Sequence, residues 1–278
     1  MSTHPANVPP GWTVPFDEAG DLVRAAGQRM ALARVTSLLL GTTALVLLVV
    51  GRPIAEALGG SGDLALFVGM AAAAIWVFLG VNAARHGRRV REAAALASVG
   101  RVDLAEGRAR ESLESFCLLR TVTVGAAAVL ARVRFGQGRH AEAARLAQFV
   151  LRRRERALGG EKRGVRLLLA ESLLATGDAH AALAAAAPLY TPARQPRDQL
   201  TLADTLRLLA VQLTADGQLG RWDAIRAALP AAVPMVELMP SPDAAKLFAL
   251  LAEADGDASG WSSYLRRRAE LIAPEASQ

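Results

Sequence analysis

The sequence is poor in the residues from which most catalytic and metal sites are built. It has one cysteine in 278 residues, Cys117, which excludes a disulfide framework and a cysteine-based zinc site within one chain. Its two lysines, Lys162 and Lys246, do not lie in a phosphate-binding Gly-x-x-x-x-Gly-Lys-Ser/Thr loop, and neither His-Glu-x-x-His nor Gly-x-Ser-x-Gly occurs. We therefore expect no enzyme activity, no cofactor and no metal ion.

Aromatic residues are also scarce. They make up 5% of the chain, whereas apolar residues as a whole make up 52%, most of them alanine, leucine and valine. The chain is too apolar for a disordered protein, and it has too few aromatic and β-branched residues for a β-sandwich or barrel. The composition therefore predicts an all-α protein.

Two uncharged apolar runs lie near the N-terminus, at residues 35–51 and 64–84. At 1.5 Å per residue the second run spans about 30 Å as a helix, the thickness of a bilayer core. A buried helix of a soluble protein usually keeps a polar stripe, and these runs have none. A cleaved signal peptide starts with a short basic segment, whereas about thirty mostly polar residues precede the first run. We predict two transmembrane helices that form a hairpin.

The arginines predict how this hairpin is oriented. Three arginines precede the first run and four follow the second, whereas the connecting loop has one arginine and two acidic residues. The positive-inside rule then places both termini in the cytoplasm. The arginine- and alanine-rich, lysine-poor composition suggests a GC-rich bacterial genome, and hence a bacterial inner membrane.

The flanking segments complete a predicted division into domains 1–34, 35–84 and 85–278. Residues 1–16 contain four prolines and are predicted to be a disordered cytoplasmic tail. Residues 17–34 form either an interfacial amphipathic lead-in or an N-terminal extension of the first span. The second span is expected to continue into the first cytoplasmic helix with little linker. The apolar side of the 17–34 helix carries Leu22, Val23, Ala26, Met30 and Ala33.

The remaining two thirds of the chain contain a repeat. Five glycines lie 38–40 residues apart, with alanine seven positions before each and alanine or tryptophan five positions after each. This pattern predicts helix–turn–helix units in which the glycine ends the first helix with a positive φ and the later residue is the first buried position of the second. The glycines are Gly100, Gly138, Gly177, Gly217 and Gly256, and the two tryptophans are Trp222 and Trp261.

Two segments, 130–151 and 169–189, resemble tetratricopeptide repeats. The resemblance implies an α-solenoid of about five helix–turn–helix units whose groove binds protein partners. An Ala/Leu-rich solenoid outside this family is the alternative, and it has the same fold class. Arg134 departs from the family pattern, which prefers an apolar or aromatic residue there. The matching residues are Leu130, Ala131, Gly138 and Ala143 in one unit, and Leu169, Ala170, Leu173, Gly177, Asp178 and Ala182 in the other.

The resemblance also suggests where a partner would bind. The positions equivalent to the family's groove are mostly apolar, with one arginine and one glutamate, which argues against a clamp for a C-terminal carboxylate and favours an apolar or helical segment. These positions are Ala128, Arg132, Phe135, Leu167, Glu171 and Leu174.

Several charged and nucleophilic residues have a second interpretation. Arg85, Arg88, Arg89 and Arg91 follow the second span and are candidates for contact with anionic lipid. The arginine runs at 152–156 and 266–268 suit helix C-termini or lipid headgroups. Nucleic acid is not expected as a partner, because charge is nearly balanced after residue 91 and no aromatic residue interleaves with the runs. Cys117 is expected to be a small buried hydrophobe.

Together these features predict a non-enzymatic, membrane-anchored helical scaffold that binds protein partners at the cytoplasmic face of a bacterial inner membrane. Two alternatives remain open from the sequence. The chain could be an accessory subunit of a membrane enzyme or transport complex, or it could act on the membrane surface or its curvature.

Overall fold

A computed structural model describes residues 13–51, 53, 57, 62–153, 161–191, 199–256 and 260–273. These residues form eleven α-helices and no β-strand, which confirms the predicted all-α class. The contacts divide the chain into two compact units, Met1–Arg153 and Arg154–Gln278. The first twelve residues of the predicted tail lie outside the described part of the chain.

Within its described residues, the first unit has five long helices, which are α1 (Thr13–Val49), α2 (Gly62–Ser98), α3 (Val102–Glu114), α4 (Arg120–Gly136) and α5 (His140–Arg153). The helices α2 to α5 pack as consecutive antiparallel neighbours, and α1 packs along α2.

The described residues of the second unit form six α-helices. They are α6 (Glu161–Ala175), α7 (Ala179–Ala186), which continues as a 3₁₀ turn at Ala187–Leu189, α8 (Leu202–Gln218), α9 (Trp222–Val236), α10 (Ser241–Asp255) and α11 (Ser262–Ile272). The core of this unit is built by α8 to α11 around the fully buried Phe248 and Leu251.

Both long helices continue past the ends of the predicted spans. The helix α2 runs unbroken through residue 84 to Ser98, so the second apolar run does continue directly into the first downstream helix. The helix α1 likewise joins residues 17–34 to the first run without a break. The predicted domain boundaries at residues 34 and 84 thus both fall inside helices. Ala26, Met30 and Ala33, on the apolar side of the 17–34 segment, are buried, and α1 packs against α5. Protein therefore covers this apolar side, as expected if the segment extends the first span.

Glycine turns connect the helices in pairs, as the repeat pattern predicts. Gly100, Gly138 and Gly177 have φ values of 79°, 75° and 87°. At each turn the residue after the glycine donates its N–H to a carbonyl five residues earlier, for example Asp178 to Leu173 at 3.0 Å. This is the Schellman arrangement, which satisfies free carbonyls at a helix C-terminus and requires a left-handed residue. Gly256 is left-handed too, with φ 52°.

The prediction for Gly217 is wrong. The helix α8 continues through Gly217, and Gly220, with φ 67°, makes the turn instead. A Cβ atom on Gly217 would lie 2.7 Å from Leu250 Cδ1 of α10. The glycine therefore serves the close approach of two helices, and regular spacing alone could not distinguish that role from a turn.

The register of the last two pairs also differs from the prediction. Ala105, Ala143 and Ala182 are fully buried five residues after their glycines, as predicted. In the fourth pair the equivalent residue is Ile225, five after Gly220, and it is 1% exposed. In the fifth it is Leu265, five after the left-handed Gly260. Trp222 is partly exposed and packs against the core of its unit, and Trp261 is 40% exposed, so neither is the first buried position that the pattern predicts.

Candidate functional site

The apolar parts of α1 and α2 have a large exposed apolar surface. Two helices in the described residues are long and apolar enough to cross a membrane, and only 11% of each most apolar window is buried. Monomeric soluble proteins rarely expose contiguous apolar areas larger than a few hundred Å². Side chains on this surface include Leu38, Leu39, Leu45, Val46, Leu64, Phe67, Trp76 and Phe78.

The two apolar helices pack closely against each other through small residues. A Cβ atom on Gly69 would lie 3.1 Å from Leu47 Cβ, and one on Gly51 would lie 3.1 Å from Ala65 Cβ. Trp76 Nε1 also donates a hydrogen bond to Ser37 Oγ at 3.2 Å. Small residues and interhelical hydrogen bonds are the usual contacts between helices in lipid. The hairpin is therefore held together by interactions that do not need water.

A basic cleft of about 450 Å³ lies between α2 and α3, directly after the apolar part of α2. Arg85, Arg88 and Arg89 line it, as three of the four arginines named from the sequence. The fourth, Arg91, is exposed but does not line the cleft. The remaining lining residues are Glu92 of α2 and Arg108 and Glu111 of α3.

Two ion pairs connect the walls of this cleft. Arg89 of α2 pairs with Glu111 of α3, and Arg108 of α3 pairs with Glu92 of α2. All four side chains are about half exposed, so each pair contributes little to stability by itself. Their effect is to hold the arginine side chains across the cleft. The sequence did not identify Arg108 as a residue of this cleft, because in the sequence it is an ordinary charge on an amphipathic helix.

A buried ionic cluster connects α3, α4 and α5. Arg134, the residue that departs from the tetratricopeptide pattern, has a side chain that is 3% exposed. It pairs with Glu106 at 2.7 Å and with the equally buried Glu142 at 3.3 Å. Arg139 also pairs with Glu142, at 2.6 Å. A buried arginine of this kind is tolerated because carboxylates surround it, so the departure from the pattern is compensated structurally.

The predicted groove residues lie in both units. Ala128, Arg132 and Phe135 lie on α4 of the first unit, and Leu167, Glu171 and Leu174 lie on α6 of the second. Ala128 and Leu167 are buried, so in this structure they are core residues rather than surface contacts. Arg132 is exposed and lines a cleft of about 250 Å³ beside the ends of α2 and α4.

Glu171 is engaged within its own unit. Arg207 of α8 donates two hydrogen bonds to its carboxylate, at 2.7 and 2.5 Å. Burial raises the pKa of Glu171 above its ordinary value, and the hydrogen bond and charge of Arg207 oppose this shift. The resemblance to tetratricopeptide repeats assigned Glu171 to a binding groove, but a resemblance of α6 does not show which residue of α8 lies opposite it.

Cys117 and His140, the remaining candidate residues, pack against neighbouring side chains. Cys117 is buried beside Ala83 and Val122, as expected for a small hydrophobe, and burial raises its thiol pKa. His140 packs edge to face against Phe135, with ring centroids 5.0 Å apart. Across the part of the chain that the structure covers, no three histidine, cysteine, aspartate or glutamate residues form a group that could hold a metal ion.

The comparisons with known proteins do not assign this arrangement to a family. No family model matches the sequence, and neither a curated protein nor a solved structure shows significant similarity to it.

Proposed function

We propose that the chain is a non-enzymatic scaffold, anchored in a bacterial inner membrane by α1 and α2, whose downstream helices bind protein partners at the cytoplasmic face. The observation that carries the proposal is the uncovered apolar surface of the hairpin. Core helices of a soluble protein would be mostly buried, whereas these are 11% buried over their most apolar windows. A bilayer covers such a surface without requiring polar groups.

The charge distribution supports the proposed orientation. The arginines that follow the apolar part of α2 lie on the same continuous helix, which leads directly to α3 of the first unit. With both termini cytoplasmic, Arg85 and Arg88 lie at the inner leaflet, which is negatively charged.

The helical pairs support a role in binding partners. Among the described residues, five consecutive helical hairpins connected by glycine turns provide a set of similar surfaces. We propose that they form a tetratricopeptide-like solenoid and that the surface around Arg132 contacts a partner. The adjoining cleft is largely apolar, with Ala94, Ala97 and Val129 in its walls.

Photo-crosslinking in native membranes tests the scaffold proposal. A photoreactive residue replaces Arg132, and a matched control replaces Asp103, which is exposed on α3 outside the cleft. We expect a discrete protein adduct from position 132 that position 103 does not give, with the partner identified by mass spectrometry. Equal labelling from both positions, or no adduct at position 132, would contradict partner binding at this surface.

A further inference from the structure

The geometry points to a binding site for the phosphate group of an acidic phospholipid in the cleft between α2 and α3. Arg85 and Arg88 would contact the phosphate, and the ion-paired Arg89 and Arg108 would form the walls on either side. This inference rests on the proposed membrane anchoring, and it names the ligand that the anchored protein recognises.

The cleft has the charge that such a ligand requires. Four arginines and two glutamates line it, which leaves an excess of two positive charges. Glu92 and Glu111 are each engaged by an arginine from the opposite helix. Neither Arg85 nor Arg88 has an ion pair with any residue that the structure describes. The excess charge is therefore concentrated on two guanidinium groups, which bind phosphate through paired N–H donors.

The position of the cleft along α2 suits a lipid headgroup. The apolar part of α2, residues 64–84, covers about 30 Å, and Arg85 is the next residue. Positions 85, 88, 89 and 92 follow the i, i+3, i+4, i+7 spacing of one helix face. They extend about 10 Å beyond the apolar core, which reaches through the headgroup layer. A soluble phosphate ester has the same chemistry, but nothing would place it at this depth.

The size of the cleft also agrees with a headgroup. Its volume of about 450 Å³ lies within the range of small-molecule sites. Arg91 lies about 110° around the helix from the centre of this face. Four arginines were candidates in the sequence, and the structure thus selects three of them and adds Arg108.

Native mass spectrometry of the full-length protein in detergent micelles tests the site. The protein is titrated with dioleoyl phosphatidylglycerol, with zwitterionic phosphatidylcholine, and with soluble glycerol phosphate. The double variant Arg85→Gln/Arg88→Gln removes the proposed contacts. The control Arg91→Gln/Arg101→Gln removes the same charge from exposed positions outside the cleft. The variant Arg85→Lys/Arg88→Lys retains the charge, and circular dichroism confirms that each variant is folded.

We expect one phosphatidylglycerol to bind in preference to phosphatidylcholine. The glutamine variant at positions 85 and 88 should bind it about 30-fold more weakly, since an arginine charge about 4 Å from the phosphate contributes about fivefold. The control should stay within about twofold of the wild type. The lysine variant should bind more tightly than the glutamine variant and more weakly than the wild type, because it keeps the charge but loses the paired N–H donors.

Three results would overturn the inference. Equal weakening in the control would show unspecific attraction to surface charge, and unchanged affinity in the glutamine variant would exclude this cleft. Glycerol phosphate that binds as tightly as the lipid would assign the cleft to a soluble phosphate ester. Because binding is measured in micelles, the result does not depend on cellular location, and failure of the cleft is distinguishable from failure of membrane anchoring.

Discussion

Replacing Gly177 by alanine should destabilise the α6–α7 hairpin, although the new methyl group has room. The φ of Gly177 is 87°, and nothing in the described part of the chain lies within 4 Å of an added Cβ. The effect is therefore that of the backbone alone. A left-handed conformation costs an L-residue roughly 1–2 kcal/mol, which corresponds to an opening equilibrium about 5–30 times more favourable.

A second glycine of the same hairpin provides the matched control. Gly164 lies within α6, and an added Cβ there also meets nothing within 4 Å among the described residues. Alanine in a helix interior is up to about 1 kcal/mol more favourable than glycine. The two substitutions add the same methyl group to one helical pair, and we expect opposite signs.

Hydrogen–deuterium exchange of the full-length protein measures both effects locally. Peptides from α6 and α7 should exchange faster in Gly177→Ala and slower in Gly164→Ala than in the wild type, under conditions in which exchange follows the opening equilibrium. Faster exchange is also expected at α8 and α9 in Gly220→Ala. Slower exchange in Gly177→Ala would mean that α6 continues through the turn, and would refute the helix–turn–helix assignment.

Three further predictions concern buried polar groups. Arg134→Met should destabilise the first unit by about 3 kcal/mol, because it leaves carboxylates without their buried partner. In a double-mutant cycle measured by urea unfolding, adding Glu142→Leu should recover part of that loss. Additive losses would contradict the coupling of Arg134 with Glu142. Because the pKa of Glu171 is raised, the folded state binds the Glu171 proton more tightly than the unfolded state does. The contribution of Glu171 to the free energy of unfolding should therefore fall as the pH rises from the ordinary pKa of a glutamate through the raised pKa of the folded state. Over this pH range the wild type should lose more stability to urea than Glu171→Gln does, and a gain in stability would contradict a raised pKa of Glu171. Cys117 should react slowly with maleimide at pH 8 until the protein is denatured, whereas rapid labelling of the folded protein would show that the thiol is accessible.

The sequence was sufficient for those features that depend on local periodicity. The apolar runs predicted two long helices, and glycines at the ends of Leu/Ala-rich helices predicted turns at Gly100, Gly138 and Gly177. Both signals arise within a single helix or turn, so no knowledge of the tertiary structure is needed to interpret them.

The errors arose where a residue's role depends on another helix. Gly217 has the spacing of a turn glycine, but its lack of a side chain is used by Leu250, which is 33 positions further along the chain. Arg134 breaks the apolar pattern of α4, yet it is buried because α3 and α5 supply carboxylates. The pairing of Arg108 with Glu92 likewise requires the antiparallel packing of α2 and α3. Composition and spacing carry no information about these partners.

If α1 and α2 form a membrane-spanning hairpin with cytoplasmic termini, a reporter enzyme that is active only outside the cytoplasm will distinguish the loop from the termini. The reporter is inserted into the 52–63 loop in one fusion and attached at the C-terminus in another, with expression of both verified by immunoblotting. We expect activity from the loop fusion and none from the C-terminal fusion. Activity at the C-terminus would contradict the orientation, and an inactive loop fusion in a protein that alkaline carbonate extracts from membranes would contradict the hairpin itself.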